Sequence, residues 1–86
     1  MQVKDDVMKY NKDKVDEMVL ALLYLTSTHD QYATRAWKGL DLETLDRLCQ
    51  KGYISDPKAK SPTLVLTDAG AKLSKELFFK YFEAKE

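Results

Sequence analysis

The sequence KGYISDPKAKSPTLVLTDAG, residues 51–70, decides the fold of this chain. It contains two short runs of strand-forming residues, 53–55 and 63–66, and a segment rich in turn formers separates them. Two prolines lie in that segment, and Lys58 and Lys60 give it a basic tip. The pattern predicts a β-hairpin.

A helix is predicted on each side of this hairpin. Before it, Asp41 can cap a helix, and Gly52 suits the left-handed position that ends one. The apolar face of that helix carries Leu42, Leu45, Leu48 and Cys49. After the hairpin, Thr67 is the cap of a last helix that runs to about Glu83.

A further helix is predicted earlier in the chain, from a cap at Asn11 or Asp13 to about Thr28. It is apolar on most sides, which is typical of a buried central helix. The stripe expected on one side of it consists of Val15, Val19, Leu22 and Thr26. Residues 30–40 fit either a short helix or a short strand, and the spacing of their aromatic and alanine residues favours the helix.

Length and composition predict one domain. The chain has 86 residues, of which 44% are hydrophobic and 33% charged, and its net charge is zero. We expect a fold that is mainly α with a small β-hairpin, of the α+β class, over residues 12–86. Residues 1–11 form an N-terminal arm that is either disordered or a short helix. The balanced charge excludes a basic tail, while a local basic patch stays possible.

Several functional classes are excluded by what the sequence lacks. One cysteine cannot form an internal disulfide or a cysteine-based zinc site, which suits the cytoplasm. The longest apolar run, residues 18–25, is far shorter than the roughly 20 residues that cross a membrane. No signal peptide is visible.

Catalytic chemistry is not expected. The sequence has no nucleophile elbow, no phosphate-binding glycine loop and no cluster of metal ligands, so we predict no enzyme, no cofactor and no metal site. His29 is the single histidine and is expected at a helix C-terminus. Cys49 is expected to be a small buried residue.

The order of elements resembles the winged-helix domains of bacterial transcriptional regulators. The residues that carry this resemblance are Leu45, Leu48, Lys51, Gly52, Tyr53, Ile54, Leu66, Thr67 and Gly70. The chain is more closely similar to a small family of bacterial winged-helix-like proteins without an assigned function. That similarity covers most of residues 12–83 and is carried by segments 21–26, 35–39, 45–48, 51–57 and 66–70.

The winged-helix resemblance implies duplex DNA as a partner. Its groove helix would be residues 41–51 and its wing residues 55–63. The residues expected to contact nucleic acid are Lys58, Lys60, Arg47, Gln50, Lys38 and Arg35. The groove helix departs from the pattern, because three carboxylates on it would repel phosphate. They belong to Asp41, Glu43 and Asp46.

Two aromatic features leave alternatives open. Trp37 is expected to be a core aromatic, with a stacking platform for a base or a peptide as the alternative. The apolar sector of the last helix is wider than one small core needs, which favours a homodimer. The residues expected at its interface are Leu77, Phe78, Phe79, Tyr81 and Phe82.

Three functions are therefore compatible with the sequence. We rank first a DNA-binding transcriptional regulator, by analogy of fold. The main alternative is a protein–protein interaction module, or a dimeric accessory protein, that does not bind DNA. The third is a small-molecule-responsive accessory protein in which Trp37 and the tyrosines line a pocket.

Overall fold

A computed structural model describes residues 9–84 of the chain. Within them lie three helices and three strands. In chain order they are α1 (Lys12–Thr26), β1 (Thr28–His29), β2 (Thr34–Trp37), α2 (Leu42–Gln50), β3 (Thr63–Leu66) and α3 (Asp68–Phe82). The predicted α+β class is confirmed. The arm predicted for residues 1–11 lies mostly outside the described residues, and the division into an arm and a domain stays a prediction.

The strands form one antiparallel sheet in the order β1-β2-β3, so β2 is central. Arg35 of β2 lies opposite Thr28 on one side and Val65 on the other. On the free side of β3, Ile54 forms an isolated bridge with Leu66. The predicted hairpin therefore pairs as expected, but its first strand is reduced to this bridge.

The preference for a helix over residues 30–40 was wrong, because this segment supplies β2. Asp30 reverses the chain after β1, since its Oδ1 accepts hydrogen bonds from the amides of Tyr32, at 2.8 Å, and Ala33, at 2.9 Å. The strand then alternates between core and solvent, with Ala36 only 1% exposed. A segment of four residues is too short for its sequence pattern to distinguish a strand from a helix.

The predicted starts of the three helices are confirmed by their caps, whereas α1 ends at Thr26 and not at about Thr28, which lies in β1. Asn11 accepts from the amide of Lys14, Asp41 from that of Thr44, and Thr67 from that of Gly70. These bonds satisfy donors that the first turn of a helix leaves free. The turn after α2 uses Gly52 at a φ of 86°, the left-handed conformation expected there.

The hydrophobic core lies between the three helices and the inner face of the sheet. Its buried apolar residues are Leu20, Ala21, Leu23, Ala36, Leu45, Leu48, Ile54, Leu64, Leu66 and Leu77. The stripe predicted for α1 was wrong, because Leu22 is 39% exposed and the buried side carries Asp16 and Leu20 instead. Leu42 was also misplaced, since it is 51% exposed at the start of α2. No helix within residues 9–84 is long and apolar enough to cross a membrane.

Candidate nucleic-acid interface

The outer face of the sheet presents an exposed tryptophan. Successive residues of a strand point to opposite faces, so Ala36 enters the core while Arg35 and Trp37 face solvent. Trp37 is 57% exposed, and the expectation that it is a core aromatic was wrong. On the same face its neighbour across the sheet is Thr63, and that of Arg35 is Val65.

The indole of Trp37 is held in place by Gly39. A Cβ atom built on Gly39 would lie 1.9 Å from Cη2 of Trp37 and 2.1 Å from its Cζ2. The ring therefore lies directly against the backbone of Gly39. The side chain of any other residue at position 39 would occupy the space of the ring. This contact fixes the ring on one side and leaves more than half of the residue in solvent.

The loop that carries the two lysines is attached to the strand that carries Trp37. The ammonium of Lys38 donates hydrogen bonds to the carbonyl oxygens of Pro57, at 3.0 Å, and Ala59. Its backbone amide donates to the carbonyl of Pro62 at 3.4 Å. The loop over residues 56–62 is thus tied to the end of β2. Lys38 itself is half-buried and has its charge directed at loop carbonyls.

Three cations lie on β2 and on the loop that Lys38 ties to the end of β2. Arg35 and Lys60 are exposed, and Lys58 has 63% of its side chain exposed. The Nζ of Lys58 lies 3.4 Å from Oδ2 of Asp46, but exposed pairs of this kind contribute little and exchange readily. We call Arg35, Trp37, Lys58 and Lys60 the basic platform.

Arg47, which was predicted to contact nucleic acid, joins α2 to α1 through Asp16. Its Nε donates to both carboxylate oxygens of Asp16, at 2.8 and 3.1 Å, and its Nη2 lies 2.8 Å from Oδ1. Lys51 adds a contact of 2.8 Å to the same carboxylate and one of 3.1 Å to Asp13. The Asp16 side chain is only 2% exposed. Arg47 is therefore committed to an ion network, and of the predicted residues of α2 only Gln50 is exposed.

Opposing effects set the pKa of Asp16. Burial acts to raise it, but the hydrogen bonds from Arg47 and Lys51 outweigh burial and hold the pKa below its usual range. The same bonds raise the pKa values of Arg47 and Lys51. All three groups stay charged at neutral pH, and the network acts as a link between helices.

The sequence analysis did not predict this network, because Asp13 and Asp16 lie near the start of a helix, where negative charge is favourable without any partner. A signal was present in the helical spacing. Asp13 and Asp16 lie three residues apart and Arg47 and Lys51 four apart, so each pair shares one helix face. Two faces of opposite charge predict a contact between α1 and α2.

The residues predicted to form a dimer interface divide into two groups. Leu77 is 7% exposed and belongs to the core. Tyr81 is half-buried, and its hydroxyl donates to Oε1 of Glu17 at 2.8 Å and accepts from Nζ of Lys14 at 2.8 Å. The others contribute to an exposed surface that α1 completes. We call that surface the aromatic face, formed by Tyr24, Phe78, Phe79 and Phe82.

The rings of the aromatic face pack in tilted and edge-to-face pairs and remain partly in solvent. Tyr24 lies 5.1 Å from the Phe78 ring and 5.7 Å from the Phe79 ring, measured between centroids. Phe79 is 42% exposed and Phe82 46%. Phe79 packs against both Tyr24 and Phe78.

The residues considered for chemistry lie apart from one another. His29 is in β1 and not at a helix C-terminus, and its Nδ1 lies 2.6 Å from Oγ1 of Thr34. Cys49 is half-buried. Within residues 9–84 no three His, Cys, Asp or Glu side chains are grouped to hold a metal ion. Two clefts, of about 320 and 470 Å³, include Tyr53 and Tyr32 respectively, and Trp37 lines neither.

Comparison with known proteins places the chain in a family. Residues 11–84 match a family described as a domain of unknown function, DUF6429. The uncharacterized protein y4hR of Sinorhizobium fredii is 49% identical over 75 residues, which are 87% of this chain and 97% of that protein. No solved structure matches, and no winged-helix family is identified. The chain therefore belongs to the DUF6429 family.

Proposed function

We propose that this protein binds nucleic acid through its basic platform, as a winged-helix-like module in which the wing and the sheet make the contact. The observation that carries the proposal is the exposed Trp37, which stands beside Arg35 and next to the lysine loop. Cations supply the affinity for phosphate, and an exposed aromatic ring offers a surface for bases. The winged-helix resemblance supports the same class of ligand.

The helix α2 fits the role of a groove helix poorly. Its one arginine, Arg47, is directed at Asp16, while Glu43 and Asp46 lie on its outer side. A carboxylate near a phosphate lowers affinity, since phosphate contacts depend on cations. The contact that we propose is therefore made by the loop over residues 56–62 and by β2.

The test is binding of fluorescently labelled DNA at two salt concentrations. Replacing Lys58 and Lys60 together by alanine should weaken binding roughly tenfold at low salt. The slope of log affinity against log salt concentration should fall by about one to two, since fewer ions are released on binding. The matched control replaces Lys72 and Lys75, two exposed lysines of α3, and should leave binding near that of the wild type. Equal losses in both variants, or no binding by the wild type at low salt, would contradict the proposal.

A second candidate is a self-associating interaction module, which the aromatic face favours. Phe79 and Phe82 leave 42% and 46% of their surface in solvent within one cluster of rings, and contiguous exposed apolar surface marks interaction sites. Pairing of two copies through this face is compatible with nucleic-acid binding, because it shares no residue with the basic platform. The solution mass of the protein tests it, as described below for Phe79.

A further inference from the structure

We propose that the Trp37 indole stacks on unpaired bases, so that the preferred ligand of the basic platform is single-stranded nucleic acid. This inference rests on the proposed function and narrows its ligand class. It goes beyond the winged-helix resemblance, which implies a duplex read by a groove helix and a wing.

The first argument is the geometry of the indole. Its six-membered ring lies against Gly39, so its orientation is set before any ligand arrives, and Trp37 is 57% exposed. A base within a duplex has both faces covered by its neighbours. A ring fixed on the outside of a sheet can therefore meet the face of a base only where that base is unpaired.

The second argument is the arrangement of charge around the ring. Arg35 lies two residues before Trp37 on the same face of β2, about 7 Å along the strand. Lys58 and Lys60 lie in the loop that Lys38 attaches to the other end of that strand. A nucleic-acid strand whose base stacks on Trp37 would extend towards Arg35 in one direction and towards the loop of Lys58 and Lys60 in the other. An uncharged peptide would have no use for these cations.

The experiment uses Trp37 as its own probe, because it is the single tryptophan of the chain. Three labelled ligands of equal charge are compared: an oligothymidine of twelve nucleotides, an abasic deoxyribose phosphate oligomer of the same length, and a short duplex whose strands are joined by a linker without bases. We expect the oligothymidine to quench tryptophan fluorescence and to bind roughly tenfold more tightly than the abasic oligomer.

Variants separate stacking from charge. Trp37→Ala should remove the advantage of oligothymidine over the abasic oligomer, and Trp37→Phe should restore part of it. Gly39→Ala keeps the tryptophan but places a methyl group in the space of its ring. It should therefore reduce both the fluorescence quenching by oligothymidine and the affinity advantage of oligothymidine over the abasic oligomer. Replacing Lys58 and Lys60 by alanine should weaken both oligomers equally. Far-ultraviolet circular dichroism confirms that each variant is folded.

The outcomes distinguish this inference from the function on which it rests. Equal affinity for oligothymidine and the abasic oligomer, without quenching, would overturn stacking and leave nucleic-acid binding intact. Tighter binding of the duplex would overturn it in the same way. Failure of all three ligands to bind would overturn both proposals. An uncharged proline-rich decapeptide serves as the protein-partner probe, and quenching by it alone would assign Trp37 to a protein contact.

Discussion

Asp16 is the residue on which the packing of α1 against α2 depends most strongly. Its carboxylate is nearly excluded from water and would be unfavourable there without Arg47 and Lys51. A buried ion pair often adds little compared with apolar residues, yet breaking one leaves a charge without its partner. Removing the Asp16 carboxylate should therefore destabilise the protein by more than the intact ion network stabilises it.

Replacing Asp16 by asparagine should lower the free energy of unfolding by about 2–3 kcal/mol, because it leaves the two cations without their shared anion. Urea denaturation measures the change. Asp13→Asn is the matched control, since Asp13 is 88% exposed and contacts only Lys51 in the same network; its effect should stay below about 1 kcal/mol. Equal destabilisation by the two variants would show that burial of Asp16 is unimportant.

The lowered pKa of Asp16 also predicts how stability depends on pH. The unfolded chain binds a proton at this carboxyl at higher pH than the folded chain does, so acid favours unfolding. The contribution is complete above about pH 5 and disappears as the pH falls below about 4 and through the native pKa. Urea unfolding of the wild type and of Asp16→Asn should be measured at pH 7, 4 and 3. The difference between their free energies of unfolding should become smaller as the pH falls. A constant difference would contradict the assignment.

At the scale of elements, Thr67 joins two parts of the fold. Its Oγ1 accepts from the amide of Gly70 at 2.9 Å and donates to the carbonyl of Gly52 at 2.8 Å. One hydroxyl therefore caps α3 and fastens the turn that ends α2. A cap alone is worth about 1 kcal/mol.

Thr67→Ala should consequently lower stability by about 1–2 kcal/mol, as it removes the cap and the bond to Gly52 together. Thr67→Ser retains the hydroxyl and should remain within about 0.5 kcal/mol of the wild type. Thermal and urea unfolding of both variants make the comparison. If serine were as damaging as alanine, the methyl group and not the hydroxyl would be responsible.

Elements were predictable from sequence where a local signal marks their ends. Asn11, Asp41 and Thr67 cap helices by bonds within three residues, and such bonds can be read from the chain alone. The strand β2 could not be recognised in the same way, because its identity depends on pairing with β3, about 30 residues away. The exposed side of α1 was missed since distant partners decide which side of an apolar helix is covered.

The candidate site was predictable only in part, for a related reason. Lys58 and Lys60 were expected in an exposed loop, and both are exposed there. The contact of Arg47 with Asp16 was not predicted, because Asp16 lies 31 residues earlier in the chain. Trp37 could be placed on the solvent side only once β2 was known to be a strand.

For the whole molecule, the aromatic face predicts self-association. Phe79→Ser should shift a concentration-dependent equilibrium towards the monomer without unfolding the chain, because the side chain is already 42% exposed. Sedimentation equilibrium measures the mass. Leu42→Ser, at an exposed leucine of α2, is the control and should leave the mass unchanged. A wild-type protein that is monomeric at all accessible concentrations would contradict the prediction.

The ion network around Asp16 and the basic platform have no residue in common. Changes in Arg35, Trp37, Lys58 or Lys60 therefore leave the polar link between α1 and α2 untouched. Substitutions at these four positions should therefore change what the surface binds without weakening the contact between the two helices.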